Sequence, residues 1–313
     1  MRFAPVVCGM GGLFLIIQSV QAANGDNWLE RVLSASKRIS SQGIFVYVSN
    51  GQLTSHKVVR KVEKDGDSRE RIYQLDGSPY EVIWENDQLL CNSRLEGNEV
   101  GFSKKLSRSL TARQIEQGYV VKHVGESRVA DLPTDIIALV PKDQYRYAYE
   151  FHVGKQSGQI LQSTTFDQKG DPVERLQYVS FSTAIPDNAA LKPQQKCMPV
   201  NESNPVASDV PPSTWMVSWL PAGYELVRSQ KSWAPRTGGH SVQYLLYSDG
   251  LSSFSVFVDP DSKGVVTDTR NQFGPTSVVS KRINPSNKDT LITVVGEIPL
   301  GAAERIALAV RPD

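Results

Sequence analysis

The chain has 313 residues, of which 40% are hydrophobic and 21% charged, so it can bury a core and is not a disordered tail. Its 34 basic and 33 acidic side chains nearly cancel, and neither sign forms a long block. This argues against a nucleic-acid-binding protein, whose basic residues cluster to neutralise phosphates. The length exceeds one average domain, and we expect two.

The first 22 residues have the layout of a secretory signal. Arg2 precedes an apolar run over residues 3–17, and Val20-Gln21-Ala22 supplies small residues before a cut. The run is shorter than the roughly 20 apolar residues of a membrane-spanning helix. We therefore predict a signal peptide over 1–22, cleaved after Ala22, and an exported, soluble mature protein.

Cleavage would leave two cysteines, Cys91 and Cys197. Two cysteines in an exported protein favour a disulfide, and closing so long a loop would stabilise by about 4–5 kcal/mol. The alternative is a pair of independent buried thiols.

The next segment predicts one helix followed by many short strands. Asn27 is suited to cap a helix that begins at Trp28, where apolar residues recur at helical spacing. From Gly43 the pattern is that of strands, and Asn50-Gly51 is a strong hairpin turn. Turn signals at intervals of roughly ten residues indicate an antiparallel meander. A short helix is expected over 111–117, with strands over 119–124, 134–140, 145–153, 159–166 and 174–181.

The strand predicted over 145–153 would carry an aromatic face. Because strand side chains alternate, one face would hold Tyr145, Tyr147, Tyr149, Phe151 and Val153. Such a face needs a cover. The cover is either another part of the chain or an apolar ligand, such as an acyl chain on the concave side of a curved sheet.

Residues 198–213 are rich in proline, serine and asparagine, which predicts a linker between a first domain at 23–197 and a second at 214–313. Few contacts need cross such a linker, so the two domains are expected to reorient. The second domain predicts strands over 242–247, 251–258 and 291–295. Pro299 can sit near the start of a helix. About a hundred residues of hairpins with one or two helices make a small α+β domain.

Catalytic and metal-binding patterns are missing from the sequence. There is no G-x-S-x-G elbow, no phosphate-binding loop and no C-x-x-C pair, and the four histidines lie far apart in the chain. We therefore expect a non-enzyme with no catalytic residues, no metal and no cofactor.

Five segments of the second half form a specific combination: Trp219-Leu220-Pro221-Ala222-Gly223-Tyr224, Tyr247-Ser248-Asp249-Gly250-Leu251, Ser253-Phe254-Ser255-Val256, Val294-Val295-Gly296-Glu297-Ile298-Pro299 and Ala303-Glu304-Arg305-Ile306-Ala307. In this order and at these distances they resemble the RseB/MucB family of periplasmic sigma-E regulatory proteins. Gly43, Phe45 and Tyr47 agree in the first half, so the resemblance covers nearly the whole mature chain.

The resemblance implies a fold class and a function. The fold would be α+β, with a large domain like LolA and LolB, an unclosed, curved antiparallel half-barrel with helices, and a smaller α+β domain. The function would be negative regulation of the sigma-E (AlgU-type) envelope stress response. Family members bind the periplasmic domain of an anti-sigma factor (RseA or MucA) and protect it from a site-one protease. A lipid or lipopolysaccharide fragment is implicated in release.

Two sets of residues follow as candidate sites. Tyr145, Tyr147, Tyr149 and Phe151 are candidates for lipid binding. The candidates for partner binding are Trp215, Trp219, Tyr224, Tyr247, Ser253, Ser255 and Phe257. Their aromatic rings are equally suited to a core, and the serine-bearing face is also suited to strand addition at a sheet edge.

Phe254, Val256 and Val258 are expected to pack in the core of the second domain. The alternative function is a periplasmic lipid or lipoprotein carrier, which would have no need of the second domain. The sequence leaves open whether the chain self-associates.

Overall fold

The computed structural model describes residues 28–86, 88–93, 112–196, 198–199, 214–234, 240–260, 268–284 and 289–313. These residues form three α-helices, α1 (Trp28–Arg38), α2 (Ala112–Gly118) and α3 (Leu300–Leu308), and a 3-10 helix at Asn188–Leu191. Within those ranges no helix has the length and apolar character needed to span a bilayer. We call residues 28–199 the N-terminal region and residues 214–313 the C-terminal region.

The N-terminal region is built on one eleven-stranded antiparallel sheet. Its strands are β1 (Ser41–Ser49), β2 (Gln52–Val62), β3 (Ser68–Gln74), β4 (Glu81–Glu85), β5 (Gln88–Asn92), β6 (Tyr119–Val129), β7 (Leu132–Pro141), β8 (Ala148–Gly154), β9 (Ile160–Phe166), β10 (Pro172–Ser182) and β11 (Met198–Pro199). The order across the sheet is β11-β5-β4-β3-β2-β1-β10-β9-β8-β7-β6, so β11 and β6 are its two edges.

This sheet is strongly curved and does not close. Strands β6 and β10 stand four places apart in the sheet, which in a flat sheet would separate them by about 19 Å. Their Cα atoms nevertheless approach within 8 Å. The sheet therefore forms a half-barrel with a hollow side.

Helix α1 covers part of the hollow. Its apolar residues Trp28, Leu29, Val32 and Ala35 are spaced along one face and are buried. Trp28 stacks on Phe151 of β8, with ring centroids 5.9 Å apart. On the more polar side of the helix, Arg31 donates to the Asp135 carboxylate on β7 at 3.0 Å. The apolar stripe and this ion pair together fix the helix on the sheet.

The C-terminal region has a six-stranded antiparallel sheet and a two-stranded one. The six strands are β13 (Glu225–Ala234), β14 (His240–Ser248), β15 (Ser253–Asp259), β16 (Thr269–Phe273), β17 (Thr276–Ile283) and β18 (Thr290–Gly296), in the order β13-β14-β15-β18-β17-β16. Strand β12 (Trp215–Val217) pairs with β19 (Val310–Pro312).

Helix α3 packs on one face of the six-stranded sheet. Ala302, Ala303, Ile306 and Ala307 of the helix are almost fully buried, in one cluster with residues of β14, β15, β17 and β18. Pro299 precedes the first helical residue, as its fixed φ allows. The predicted helix near Pro299 is confirmed.

The predicted fold class is confirmed: the protein is α+β, with an open antiparallel half-barrel and a smaller α+β part. The hairpin at Asn50-Gly51 is also confirmed, and both residues adopt the positive φ values (51° and 72°) that the turn requires. The predicted cap, Asn27, and the predicted signal peptide lie outside the described residues. So does most of the predicted linker, 198–213.

Candidate functional site at the junction of the two regions

The predicted aromatic face is covered by the protein itself. Tyr147, Tyr149 and Phe151 are each no more than 3% exposed. They pack in one cluster with residues of α1 and α2 and with Leu251 of the C-terminal region. The cover that the sequence required is therefore the chain's own helices and one turn of the C-terminal region. Lipid binding at these rings stays a prediction, and it would require that cover to move.

The prediction that Tyr145 shares this face is wrong. Strand β8 begins only at Ala148, because the preceding residues form a turn. In that turn the Asp143 carboxylate accepts the backbone N–H of Tyr145 at 2.9 Å. The Tyr145 ring consequently packs against the core of the C-terminal region.

Arg146, next in the same turn, is the polar centre of the junction. Its side chain is 1% exposed. Nε donates to both Asp143 oxygens at 3.2 Å, and Nη2 donates to Asp143 Oδ2 at 3.0 Å. From the C-terminal region, Asp249 Oδ2 accepts from Nη1 at 3.2 Å, and the carbonyl of Ala222 accepts from Nη2 at 2.6 Å. One buried guanidinium thus bonds to both regions.

The charges at this centre are set by burial and by close partners. Burial raises the pKa of Asp249, while the backbone amides of Ser252 and Leu251 and the charge of Arg146 act in the opposite direction. For Arg146, burial lowers the pKa, but the hydrogen bonds to Asp143 and the electrostatic contributions of Asp143, Tyr119 and Tyr224 together outweigh burial, so the pKa is raised. An ion pair in this position is supported by hydrogen bonds on both sides, as a buried pair requires.

A second contact between the regions involves Tyr147. Its hydroxyl donates to the carbonyl of Ile298 and accepts from Gln272 Nε2, both at 3.2 Å. Burial raises the pKa of Tyr147 to about 12, so the phenol keeps the proton that it donates.

Two glycines of the C-terminal region allow close approach to the N-terminal region. Gly223, at φ +85°, lies against Gln117 of α2, and Gly274, at φ +56°, lies against Ser49 and Val173. The expectation that few contacts cross the linker is therefore wrong. The described residues of the two regions share one ion pair, several hydrogen bonds and part of a core.

A third contact is a stack of three side chains at the edge of the junction. The rings of Tyr145 and Trp219 meet edge to face, with centroids 4.7 Å apart. The guanidinium carbon of Arg305 lies 3.8 Å from the Trp219 ring centroid, and Arg305 also donates to the Tyr145 hydroxyl. Trp219 is half-buried and Arg305 is exposed. Tyrosine, tryptophan and arginine are the residues that most often dominate binding interfaces.

The predicted partner-binding residues fall into two groups. Tyr224 and Tyr247 are buried core residues, each with its ring centroid 5.2 Å from that of Phe254, so their rings offer no surface to a partner. The others retain some exposure: Trp215, Trp219, Ser253, Ser255 and Phe257.

The hairpin strand β15 lies inside the sheet. Phe254, Val256 and Val258 are at most 1% exposed and form the core, as predicted. Ser253, Ser255 and Phe257 point to the other face, where Phe257 packs beside Tyr244 at 5.3 Å. Strand addition at β15 is excluded, because β14 and β18 already pair with both of its edges.

Cys91 on β5 is disulfide-bonded. Cys197 lies outside the described residues, so the pairing of these two cysteines stays a prediction. The neighbouring residues fit it: Met198 and Pro199 of β11 pair with Asn92 and Cys91. Among the described residues no group of three or more His, Cys, Asp or Glu side chains could hold a metal ion.

Sequence reasoning missed Arg146 and Asp249. It assigned Arg146 to the strand over 145–153 and gave Asp249 no role of its own. One signal was present in the sequence. Arg146 is a cation between two tyrosines, and Asp143, three residues earlier, is a carboxylate that could pair with it. Only the fold shows that Asp249, 103 positions further on, is the second partner.

Family models match almost the whole chain. The model of the MucB/RseB N-terminal domain matches residues 24–198, and the model of the MucB/RseB C-terminal domain matches residues 209–311. The chain belongs to the MucB/RseB family. The sigma factor AlgU regulatory protein MucB of Pseudomonas aeruginosa is 37% identical over 100% of this chain and 98% of its own length.

Solved structures of a family member agree in fold. The structure matches MucB from a complex of Pseudomonas aeruginosa MucA and MucB with a TM-score of 0.82, at 37% identity, over 93% of this chain and 99% of that chain. It matches a crystal structure of MucB with a TM-score of 0.69, at 36% identity, over 94% of this chain and 99% of that one. The family resemblance inferred from the sequence is confirmed.

Proposed function

We propose that this protein is a periplasmic negative regulator of a sigma factor of the sigma-E type. It binds the periplasmic domain of a membrane-spanning anti-sigma factor and protects that domain from a site-one protease. The observation that carries this proposal is the full-length match to MucB, a sigma factor regulatory protein, in both sequence and structure. Periplasmic location would follow export and removal of residues 1–22.

We propose that the anti-sigma factor contacts the partly exposed predicted residues of the C-terminal region. Trp219 lies in the stack with Tyr145 and Arg305, and Trp215 is close in sequence, on β12. Ser253, Ser255 and Phe257 lie on the face of the sheet opposite Phe254 and its core neighbours. Both areas combine aromatic rings with polar groups, which suits a protein interface better than a core.

A lipid-type signal would release the partner, and a cavity beside α1 supports its entry there. The cavity has a volume of about 600 Å³, within the range of small-molecule sites. Apolar residues such as Ile39 and Phe181 and the cations Arg38 and Lys155 line it. It lies at the C-terminal end of α1, so an acyl chain that extended from it into the hollow would displace that helix. An acyl chain would find apolar walls there, and an anionic head group would find Arg38, since Lys155 already pairs with Glu126 and Asp135.

Protection from proteolysis tests the proposal. The purified mature chain is mixed with the periplasmic domain of the anti-sigma factor from the same organism and with its site-one protease. We expect cleavage to slow as the chain is added, and to recover when lipopolysaccharide is added. Cleavage at an unchanged rate, with no binding by calorimetry, would reject the proposal.

A pair of variants locates the contact. Phe257→Ala removes a ring from the proposed surface and is expected to weaken binding to the anti-sigma domain. Val179→Ala is the control, because Val179 is an exposed apolar residue on β10 of the other region. Equal affinities for both variants would place the contact elsewhere.

A further inference from the structure

The contacts of Arg146 depend on how the two regions are arranged. Asp143 belongs to the same turn as Arg146, whereas Asp249 and Ala222 belong to two separate turns of the C-terminal region. One tyrosine ring from each region also faces the guanidinium: the centroids of Tyr119 and Tyr224 lie 5.2 and 5.4 Å from its carbon. These partners surround the cation only in one relative orientation of the regions.

The two carboxylate oxygens of Asp249 contact different partners. Oδ1 accepts the backbone N–H groups of Leu251 and Ser252, at 2.9 and 2.8 Å, and so holds its own turn. Oδ2 faces Arg146 of the other region. Leu251 in the same turn is buried in the core cluster of the N-terminal region. The carboxylate therefore links the shape of this turn to the position of the N-terminal region.

The N-terminal region has space for the guanidinium because residue 118 is glycine. A Cβ added at Gly118 would overlap Arg146 Nη1 and lie 2.6 Å from its Cζ. Arg146 is held by hydrogen bonds on several sides, so it cannot turn away without losing some of them. Gly118, at the end of α2, is thus part of the same arrangement.

We propose that Arg146 and Asp249 are positioning residues that fix the angle between the two regions, and that this angle determines affinity for the anti-sigma factor. The claim that the angle determines affinity rests on the proposed function. A buried ion pair adds little net stability compared with apolar packing, but its directional hydrogen bonds can select one geometry. Fixing a binding-competent arrangement in advance raises affinity for the partner.

The similar structures are consistent with this inference. The TM-scores with MucB from its two complexes with MucA are 0.82 and 0.80, and the TM-score with MucB alone is 0.69. The share of the chain covered is nearly the same in all three. As a whole the chain is therefore nearer in structure to MucB in the complexes than to MucB alone.

The test uses two variants that act on this arrangement in different ways. Asp249→Asn keeps an oxygen for the two backbone amides but turns an N–H₂ group toward Arg146, so the turn survives and the ion pair does not. Gly118→Ala removes no polar group and displaces the guanidinium by bulk alone. If one variant fails to fold, the other still tests the inference.

Glu81→Gln is the matched control. Glu81 and Arg71 are as deeply buried as Asp249 and Arg146, and their carboxylate–guanidinium contacts are 2.6 and 3.0 Å. Both residues lie in the N-terminal region, so this pair bridges no junction. Arg71 donates to Oε2 of Glu81, and the amide of Glu81→Gln keeps an oxygen to accept the backbone N–H groups of Gln194 and Gln195. The control should lower thermal stability as Asp249→Asn does, without altering the angle between the regions.

Two measurements distinguish an effect on the angle between the regions from an effect on stability alone. Spin labels on non-canonical amino acids at Leu53 and Leu308, both more than 60% exposed, report the distance between the regions by pulsed electron paramagnetic resonance. Calorimetry with the anti-sigma periplasmic domain reports affinity. We expect Asp249→Asn and Gly118→Ala to shift or broaden the distance distribution of the free protein and to raise the Kd about tenfold. Glu81→Gln should change neither.

The outcomes distinguish this inference from the proposed function. A distance distribution unchanged in both variants overturns the inference. A changed distribution with an unchanged Kd overturns the link between angle and affinity. If the unaltered protein itself does not bind the anti-sigma domain, the proposed function fails, and a changed distribution still supports the positioning role of Arg146 and Asp249.

Discussion

His56 gives the N-terminal region a pH-dependent stability. The side chain is 1% exposed, stacks on Phe45 with ring centroids 5.2 Å apart, and places Nε2 2.9 Å from Thr54 Oγ1. Burial lowers its pKa from 6.5 to about 4, although the nearby carboxylate of Asp76 acts in the opposite direction. A protonated His56 is therefore disfavoured in the folded protein.

The sign of the effect follows from this pKa. Between pH 6.5 and about 4 the unfolded chain binds a proton at His56 that the folded chain does not bind. The free energy of unfolding should accordingly fall as the pH decreases through this window. We expect His56→Gln to lose less stability than the unaltered protein between pH 6.5 and 4. Urea denaturation at several pH values measures this, and parallel curves for the two proteins would contradict it.

Two glycines should respond to alanine in opposite ways. A Cβ at Gly296 would lie 2.5 Å from the carbonyl oxygen of Ser253 and would overlap the Phe254 backbone on the paired strand, so Gly296→Ala should destabilise by about 1–3 kcal/mol. Gly301 lies in α3 with nothing within 4 Å of such a Cβ. Gly301→Ala should stabilise by up to about 1 kcal/mol, because alanine is the better helix former. Thermal unfolding measures the stability of both variants. An equal loss of stability in the two variants would contradict this account.

For single helices, strands and turns, the sequence predicts the structure where neighbouring residues determine it. It fails where contacts between residues far apart in the chain determine the structure. The helix at Trp28 and the hairpin at Asn50-Gly51 were predictable, because side-chain spacing and turn residues specify them. Tyr145 was assigned wrongly to a strand. Its tyrosine-rich sequence favours a strand, but the carboxylate of Asp143 bonds to its backbone N–H and forms a turn instead. No local pattern shows that Leu251 enters the core of the other region.

Strand β8 allows a test of whether its aromatic face is a core. Phe151 is 1% exposed beneath Trp28, so Phe151→Glu would bury a charge without a partner and should unfold the N-terminal region. Val179→Glu, at a residue 54% exposed on β10, should leave the fold intact. Circular dichroism and urea denaturation compare the two variants. A folded Phe151→Glu protein that had lost lipid binding would instead support a lipid site at this face.

For the whole molecule, the resemblance to a family predicted more than the residue patterns did. The residue patterns predicted a meander, a linker and a small α+β domain. The resemblance to the family added the half-barrel and the anti-sigma partner. Neither predicted the junction, because its contacts join residues far apart in the chain, such as Arg146 and Asp249. The exact domain boundaries and the lipid signal stay predictions.

Leu251 permits the junction to be opened without altering the ion pair directly. The side chain is 5% exposed within the N-terminal cluster, and Leu251→Glu should separate the regions while each keeps its fold. Leu226→Glu is the control, since Leu226 belongs to the same region and is 39% exposed. Small-angle X-ray scattering should give a larger radius of gyration for Leu251→Glu alone. Identical scattering curves for the two variants would show that Leu251 does not hold the regions together.

The connection between the regions is attached to folded structure at both ends. The backbone amides of Gln194 and Gln195 donate to the Glu81 carboxylate at 3.0 and 3.4 Å, and Thr214 accepts the backbone N–H of Asp313 at 3.1 Å. Regions that came apart would therefore meet again in an intramolecular reaction, at an effective concentration on the order of millimolar. Under that condition, contacts too weak to join two separate chains are sufficient to hold the two regions together. The arrangement in which the regions touch can therefore be well populated and still open at a modest cost in free energy.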